Sequence, residues 1–240
     1  MDTKEVINFY DDFADIQQES GINDRVFGLY RRLQRLGLKS NSKVLELGCG
    51  VGTLTYLLSR TVTEGQVEAV DISPRSIAFC SQKIRKANIR FAADDVVRYR
   101  PTLVNPDFVT LFDVLEHIPL EQHGELFLNL AGHCGPHTRI VINIPNPDYI
   151  QYDREHHPEV LQVIDQPLPL SVMVPNFDKT GLELLYFETY SVWVENDYQF
   201  MVLRTKRPFQ ETFLHHQRSF AQKGVKKLQR LFVQWRYRYR

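Results

Sequence analysis

A glycine-rich turn between an apolar strand and a helix constrains the fold of this sequence more than any other feature. Residues 44–53 read Val-Leu-Glu-Leu-Gly-Cys-Gly-Val-Gly-Thr. Glycine tolerates positive φ and lets a ligand approach the main chain closely. The free N–H groups and dipole at the start of the following helix favour an anionic group. The segment therefore predicts a strand–loop–helix unit that binds a ligand at Gly48, Gly50 and Gly52.

The rest of the chain alternates between strand and helix patterns. Short apolar runs lie at 43–47, 66–71, 88–92, 107–112 and 138–144, and helical patterns lie between them at 52–60, 74–87 and 120–132. This alternation predicts a mostly parallel sheet with helices on both faces. Two further strands, 182–192 and 197–204, form an antiparallel hairpin that completes seven strands. We predict a Rossmann-like α/β domain over 1–204, which begins with helices within 1–40 and is followed by a C-terminal helical extension over 205–240.

Two kinds of cofactor fit a glycine turn of this type. A dinucleotide site also follows a strand, and an acid at the end of the next strand binds ribose hydroxyls in both cases. Here Asp71 ends the strand Val67–Asp71. Two details disfavour a dinucleotide: Thr53 stands where its third glycine is expected, and Glu46 would repel a pyrophosphate. The same Glu46 suits the ammonium group of an amino acid.

Four ordered segments carry a resemblance to a known family. They are VLELGCGVGT at 44–53, VEAVDIS at 67–73, IRFAADD at 89–95 and PDFVTLFDVLEHIP at 106–119. Over about residues 40–145 the sequence resembles the class I methyltransferases that use S-adenosylmethionine (SAM) and release S-adenosylhomocysteine (SAH). The resemblance implies the Rossmann-like fold, this cofactor and methyl transfer.

The resemblance also implies which residues hold SAM. The glycine loop with Glu46 holds the methionine end, Asp71 binds the ribose, and the position of Ile72 packs against adenine. The position of Asp94 reaches the adenine amine, with Asp95 as the second choice. Tyr10 and Phe13 occupy positions that often close over the cofactor. The cofactor-binding residues expected are thus Glu46, Gly48, Cys49, Gly50, Gly52, Asp71, Ile72, Asp94, Asp95, Phe112 and Asp113.

Candidate acceptor residues follow the fourth and fifth strands, where ligands collect in open α/β sheets. His117 is the first candidate base; its alternative role is a structural histidine bonded to backbone at a helix start. Residues 145–180 form an expected lid, in which His156 and His157 are further candidate bases, although the loop could also simply face water. Tyr149, Tyr152 and Tyr10 are the expected acceptor-binding residues.

The reaction expected from this site is methyl transfer to an oxygen, less favourably a nitrogen, of a small polar acceptor such as a sugar or natural-product intermediate. No metal is expected, because adjacent His156 and His157 point apart and Cys134 with His137 lacks a second ligand pair. His123, His133, His215 and His216 are interpreted as surface residues. An RNA methyltransferase and a catalytically inactive SAM-binding partner subunit are the alternatives.

The charges are distributed unevenly along the chain. Lys+Arg and Asp+Glu both number 29, yet residues 204–240 contain eleven basic residues and one acid. A basic helix predicted over 208–236 could pack on the acidic body, mediate homo-oligomer formation, or contact a membrane surface or acidic partner; packing or self-association is favoured. No nucleic-acid recognition motif accompanies it. Three cysteines without a close pair, no signal-peptide pattern and no long apolar run indicate a cytoplasmic protein.

Overall fold

The computed structural model describes residues 3–162, 164–211 and 219–237, apart from the side chains of Thr3, Lys4, Phe13 and Ile16. Phe13, His215 and His216, for which the sequence suggests roles, therefore lie outside the described side chains. The chain forms two compact units, Met1–Lys206 and Arg207–Arg240.

The first unit contains seven helices and seven strands among its described residues. The helices are α1 (Thr3–Ser20), α2 (Asp24–Arg35), α3 (Thr53–Thr61), α4 (Pro74–Lys83), α5 (His123–His133), α6 (Pro147–His156) and α7 (Leu170–Lys179). The strands are β1 (Lys43–Leu47), β2 (Gln66–Asp71), β3 (Ile89–Ala93), β4 (Phe108–Phe112), β5 (Arg139–Pro145), β6 (Leu182–Tyr190) and β7 (Tyr198–Thr205). Short 3₁₀ turns cover Leu115–His117, Leu120–Gln122 and Pro158–Val160.

The strands form one sheet in the order β3-β2-β1-β4-β5-β7-β6. The first five strands pair in parallel, whereas β7 pairs antiparallel with both β5 and β6. The predicted mostly parallel, seven-stranded Rossmann-like sheet is confirmed. Strand order reverses beside β1, and such switch points are where open α/β sheets bind ligands.

Alternate residues along the strands belong to two separate hydrophobic cores, one on each face of the sheet. Leu45 and Val109 belong to the core that contains Phe127 of α5 and Phe177 of α7. Their neighbours Val44 and Phe108 belong to the core that contains Leu29, Leu33, Leu54 and Leu58 of α2 and α3. Because strand side chains alternate between faces, burial on both sides requires nearly continuous apolar strands.

Three local expectations differ from the structure. Residues 145–156 contain the helix α6, which begins with the Asn146 side chain accepting from the Asp148 N–H and with Pro147 in the first turn. Helix α4 ends at Lys83, earlier than the predicted residue 87. Residues 206–211 are not helical, and the C-terminal helix, α8, covers Phe220–Tyr237.

Candidate functional site

The glycine loop takes the backbone conformation that its residues predict. Gly48 and Gly50 have φ of 74° and 52°. A Cβ on Gly48 would lie 2.2 Å from Val114 Cγ2, and one on Gly50 would lie 2.6 Å from Gln17 Oε1. The Gly48 and Cys49 N–H groups donate to the Val70 carbonyl at 2.8 and 3.0 Å. The loop is thus held against the end of β2, with its main chain closely covered.

Asp71 ends β2 beside this loop. Its Oδ2 accepts from the Gly50 N–H at 2.7 Å, and its Oδ1 accepts from the Ser73 N–H at 2.9 Å. Burial raises the pKa of Asp71. Each carboxylate oxygen can accept more than one hydrogen bond, so Asp71 retains acceptor capacity for ligand hydroxyls.

Glu46 is a buried carboxylate near the carboxyl end of β1. It is 3% exposed, and the Thr55 hydroxyl of α3 donates to its Oε2 at 2.7 Å. Burial raises the pKa of Glu46 to about 8. A nearby cation stabilises the charged form of a buried carboxylate whose pKa is raised. The residue therefore fits a ligand ammonium group.

These residues line one cavity of about 580 Å³ above the carboxyl ends of the parallel strands. Helices α1 and α2 contribute to its wall through Val6, Tyr10, Gln17 and Arg25. Five acids line the cavity together with one arginine, Arg25, among the described residues. The acids are Glu46, Asp71, Asp95, Asp113 and Glu121. An acid-rich wall fits a cation such as SAM, which carries a sulfonium and an ammonium group, and disfavours a pyrophosphate.

Most of the sequence-predicted residues meet at this cavity. The lining includes Tyr10, Glu46, Gly48, Cys49, Gly50, Asp71, Ile72, Asp95, Phe112, Asp113 and His117. The described lining does not include Gly52, Asp94, Tyr149, Tyr152, His156 or His157. The cofactor and acceptor roles of both sets stay predictions.

Asp94 and Asp95 are consecutive residues in the turn that follows β3. The Asp94 Oδ1 accepts from the N–H of Asp95 at 2.8 Å, and the Asp95 Oδ1 accepts from that of Val97 at 3.0 Å. Both carboxylates thus stabilise the turn, which was the simpler interpretation of the pair. Asp95 also lines the cavity, whereas Asp94 is exposed.

Asp113 forms an ion pair with Arg25 across the cavity. Its backbone has a φ of 55°, which is uncommon for a residue with a side chain. The Asn143 side-chain amide donates to its Oδ1 at 3.2 Å, and its own N–H donates to the Asn143 carbonyl at 2.8 Å. The Arg25 guanidinium lies 5.7 Å from the Trp193 ring centroid. Asp113 is therefore held by one strand, β5, and one helix, α2.

His117 is buried in the cavity wall at the end of a 3₁₀ turn. Its Nδ1 lies 2.5 Å from the Ile164 carbonyl and 3.2 Å from Asp165 Oδ1. Because a carbonyl only accepts, Nδ1 carries the hydrogen and Nε2 carries the lone pair. Burial lowers the pKa of His117, which favours the neutral ring. Both a base and a backbone-bonded structural histidine, the two roles considered from the sequence, are compatible with this geometry.

Glu116 lies beside His117 and is 1% exposed. Its Oε1 is 3.9 Å from His117 Nε2, and neither carboxylate oxygen has a hydrogen-bond partner among the described residues. Burial raises the pKa of Glu116 to about 8. The group is therefore largely protonated at neutral pH, which avoids an unpaired buried charge next to His117.

The part of the expected lid that reaches the cavity is not α6 but the segment after it. Gln162 and Ile164 line the cavity. The Gln166 N–H donates to the Glu116 carbonyl at 3.0 Å, and its side-chain amide donates to the Ile118 carbonyl at 2.6 Å. These bonds attach the segment to the turn that carries His117.

The four candidates on and after α6 lie elsewhere. His156 and His157 are exposed, and the His156 ring stacks on the Tyr152 ring with centroids 4.1 Å apart. His157 Nδ1 is 3.9 Å from Glu159 Oε1. Tyr152 is 51% exposed and Tyr149 is half-buried. The sequence pattern did not predict where these side chains lie, because helix α6 was not expected.

The position of His123 differs from its interpretation from the sequence. It was interpreted as a surface residue, yet it is fully buried, with Nε2 at 2.9 Å from the Ile118 carbonyl and 3.1 Å from the Leu115 carbonyl. The ring ties the start of α5 to the turn containing His117. In the described part of the chain, no group of three potential metal ligands lies together.

Sequence reasoning missed the residues that reach the cavity from distant segments. Arg25 of α2 and the pair Gln162 and Ile164 have no motif around them. Asp165, which contacts His117 but is not part of the described lining, follows no recognisable pattern either. Thr55 was detectable in principle, because a hydroxyl one turn into α3 can reach back to the strand that precedes the loop.

A family model described as a methyltransferase domain matches residues 23–237 of this chain. Together with the fold and the glycine-loop cavity, this match decides the family. The chain belongs to the class I SAM-dependent methyltransferases. The predicted family, enzyme class and cofactor are thereby confirmed.

Proteins with similar sequences include methyltransferases. The trans-aconitate 2-methyltransferase of Mycobacterium tuberculosis is 29% identical over 126 residues, which cover 52% of this methyltransferase and 45% of that protein. The match thus spans less than half the length of that relative.

Solved structures share the fold. The magnesium protoporphyrin IX methyltransferase of Synechocystis PCC 6803, crystallised with SAH, aligns with a TM-score of 0.66 at 17% identity, covering 85% of this chain and all of that chain (100%). The N-methyltransferase NodS of Bradyrhizobium japonicum WM9 aligns with a TM-score of 0.59 at 18% identity, covering 77% and 99%. No described helix of the present methyltransferase combines the length and apolar character needed to span a bilayer.

Proposed function

We propose that this methyltransferase transfers the methyl group of SAM to an oxygen of a small, polar, uncharged acceptor such as a sugar or hydroxylated intermediate. The observation that carries the proposal is His117, a buried neutral imidazole in the cavity wall whose Nδ1–H is engaged by the Ile164 carbonyl. Its Nε2 is then free to accept the proton of an acceptor hydroxyl.

Residues of the glycine loop and β2 hold the cofactor in this proposal. Glu46 pairs with the ammonium group, the Asp71 carboxylate accepts from the ribose hydroxyls, and Asp95 rather than Asp94 reaches the adenine amine because Asp95 lines the cavity. When bound, SAM supplies an electrophilic methyl group on a positively charged sulfur. Alignment of the reacting atoms by the cavity wall can lower the barrier by about 7 kcal/mol or more.

The acidic lining argues against a polycarboxylate acceptor. One protein named above is a trans-aconitate 2-methyltransferase. The described cavity wall of the present chain, however, offers a tricarboxylate one arginine, Arg25, which is already paired with Asp113. A neutral hydroxyl compound meets no such repulsion.

An amine acceptor is the second candidate. Glu121 and Asp113 lie in the cavity wall, and acids attract a cationic amine. His117 would serve an amine as well, because an ammonium group must lose a proton before it can attack. An oxygen acceptor is favoured over a nitrogen acceptor, because a hydroxyl group depends more strongly than an amine on a base that removes its proton.

The test is methyl transfer from SAM with a tritiated methyl group to a panel containing a sugar, a phenol, a primary amine and trans-aconitate. Wild-type protein is expected to label a hydroxyl compound, and His117→Gln is expected to lower kcat by about 10²–10⁴-fold. The variant should bind SAM as the wild type does. Since burial lowers the pKa of His117, wild-type activity should persist below the ordinary histidine pKa of about 6.5 before it falls.

His133→Gln is the matched control. His133 of α5 also places its Nδ1 near a carbonyl, that of Asn129 at 2.8 Å, but it is not part of the described cavity lining. Equal rates for His117→Gln and wild type would reject the base, and exclusive labelling of trans-aconitate would reject the neutral acceptor.

A further inference from the structure

Helix α8 is a self-contained helix with its own start signal. It covers Phe220–Tyr237. Ser219 Oγ accepts from the Gln222 N–H at 3.3 Å, while Gln222 Oε1 accepts from the Ser219 N–H at 3.1 Å. This reciprocal pair is a capping box, which satisfies two of the free donors at a helix N-terminus. Arg236 in the last turn complements the other end of the helix dipole.

One face of α8 is continuously apolar. Ala221, Val225, Leu228, Phe232 and Trp235 follow one another at spacings of three or four residues, which place them in one stripe. Leu228 is 67% exposed, Phe232 56% and Trp235 72%. Side chains of this size are rarely left in water as a connected set, so the stripe marks a contact surface.

The opposite face of α8 is basic. Lys223, Lys226, Lys227 and Arg230 lie away from the stripe at helical spacing, and Arg236 lies at its border. The helix contains no Asp or Glu, so none of these five cations is balanced within it. The partner of α8 must therefore accept an apolar face and many positive charges together.

These properties favour one partner over others. A second copy of α8 would bring ten cations together without an acid, which opposes pairing of the stripes. A nucleic acid would use the cations but leave the apolar stripe in water. A bilayer with anionic headgroups uses both, because an in-plane helix inserts its apolar face and keeps its cations at the headgroups. An aromatic residue such as Trp235 suits that interface.

We propose that α8 lies in the plane of an anionic lipid surface, with the Ala221–Trp235 stripe inserted and the Lys/Arg face at the headgroups. The helix is not a span: in the described residues no helix meets the length and hydropathy that crossing requires. The mode of contact is reversible and depends on anionic lipid and on salt, since charge attraction is screened by ions. This assignment is independent of the acceptor and of His117.

The experiment compares two identical substitutions on opposite faces of α8. Val225 lies in the stripe and is 54% exposed, while Val233 lies on the polar side and is 50% exposed. Val225→Glu and Val233→Glu change net charge and helix propensity equally. Full-length protein is sedimented with vesicles of phosphatidylcholine alone or with phosphatidylglycerol added, and SAM affinity is measured on each variant to confirm the fold.

The wild type should bind the anionic vesicles and not the pure phosphatidylcholine vesicles. Val225→Glu should weaken binding by about tenfold or more, and Val233→Glu by about threefold or less, since burying a carboxylate is opposed whereas placing it beside Arg230 and Arg236 is not. Val225→Ala, which adds no charge, should give an intermediate loss.

Three outcomes would overturn the proposal. The wild type could stay in solution with the anionic vesicles at physiological salt. The two glutamate variants could lose binding equally. That result would mean that charge alone attracts α8 to the vesicles and that the apolar stripe does not insert. Light scattering could show a dimer that Val225→Glu converts to a monomer, which would assign the stripe to a second copy of the chain.

Discussion

At the scale of single residues, burial sets the chemistry of the site. Glu46, Glu116 and His117 all lie in the sheet or directly after it, and in each case burial is the largest cause of the pKa shift. Loss of water disfavours charge, so the two acids take up protons more readily and the histidine less readily. Burial therefore favours the neutral forms of Glu46 and His117 in the cavity wall and of Glu116 beside His117, and a ligand or a reaction step that provides a partner favours the charged forms.

Glu46 yields a prediction about proton release on SAM binding. With a pKa of about 8, Glu46 is mostly protonated at pH 7 in the free protein. A ligand ammonium beside it would lower this pKa, because a nearby positive charge favours the carboxylate. Titration calorimetry at pH 7 in buffers of different ionisation enthalpy should show up to about one proton more released by wild type than by Glu46→Gln.

The Glu46→Gln variant is a suitable reference because glutamine can still accept from the Thr55 hydroxyl. Free SAM has the same protonation state in both experiments, so the contribution of the unbound ligand cancels in the comparison. Equal proton counts for the two proteins would show that Glu46 does not pair with the ammonium group.

At the scale of elements, α1 and its contact with α4 cover one side of the cavity. Arg75 Nη2 of α4 lies 2.7 and 2.8 Å from the two carboxylate oxygens of Asp15, and Arg75 Nη1 donates to the Asp11 carbonyl at 3.1 Å. Asp11 also bonds the Ser73 hydroxyl that caps α4. Since α1 brings Tyr10 and Gln17 to the cavity, this polar contact helps to close the site.

Arg75→Ala should therefore weaken SAM binding with little effect on global stability. The side chains of Arg75 and Asp15 are 48% and 59% exposed, and exposed ion pairs contribute about 0.2–1 kcal/mol. The loss of SAM affinity should then be about fivefold or less, with faster hydrogen exchange confined to α1. Calorimetry and exchange mass spectrometry measure the two effects.

Arg60→Ala serves as the control for this contact, because Arg60 is an exposed arginine of α3. It should change neither SAM affinity nor the exchange of α1. Faster exchange throughout the sheet in Arg75→Ala would contradict a local role for the α1–α4 contact.

At the scale of the whole molecule, the sheet and its two cores are complete without the C-terminal unit. The buried members of both cores lie between Leu29 and Leu203. The division after Lys206 therefore separates a unit that contains the cavity from one that contains α8.

A protein ending at Lys206 should keep its fold and its cofactor site. Removal of 207–240 should leave unfolding cooperative and SAM affinity within about twofold of the full chain, since the buried residues of both cores and the described cavity lining all precede Lys206. Circular dichroism during heating and calorimetric titration test this. The independence of the two units would be contradicted if the truncated protein aggregated, or if it unfolded at a temperature far below that of the full chain.

The parts of the fold that were predictable depend on local patterns. Each parallel strand was located within about one residue, because strands buried on both faces are short apolar runs bounded by turns. The C-terminal helix was placed too early, since Phe209 lies in helical spacing with later apolar residues, although residues 206–211 are not helical. Helix α6 was missed even though Asn146 and Pro147 form a normal helix start, because prolines and aromatic residues nearby indicated a loop.

The sequence by itself determined the sheet, the glycine loop, and the positions of Glu46 and Asp71 at the cavity, because each depends on residues next to one another in the chain. The tertiary structure alone decided that Asp95 rather than Asp94 lines the cavity, that Arg25 pairs with Asp113, and that His117 is held by Ile164. Such contacts join distant segments, and no local pattern encodes which side chains two packed segments bring together.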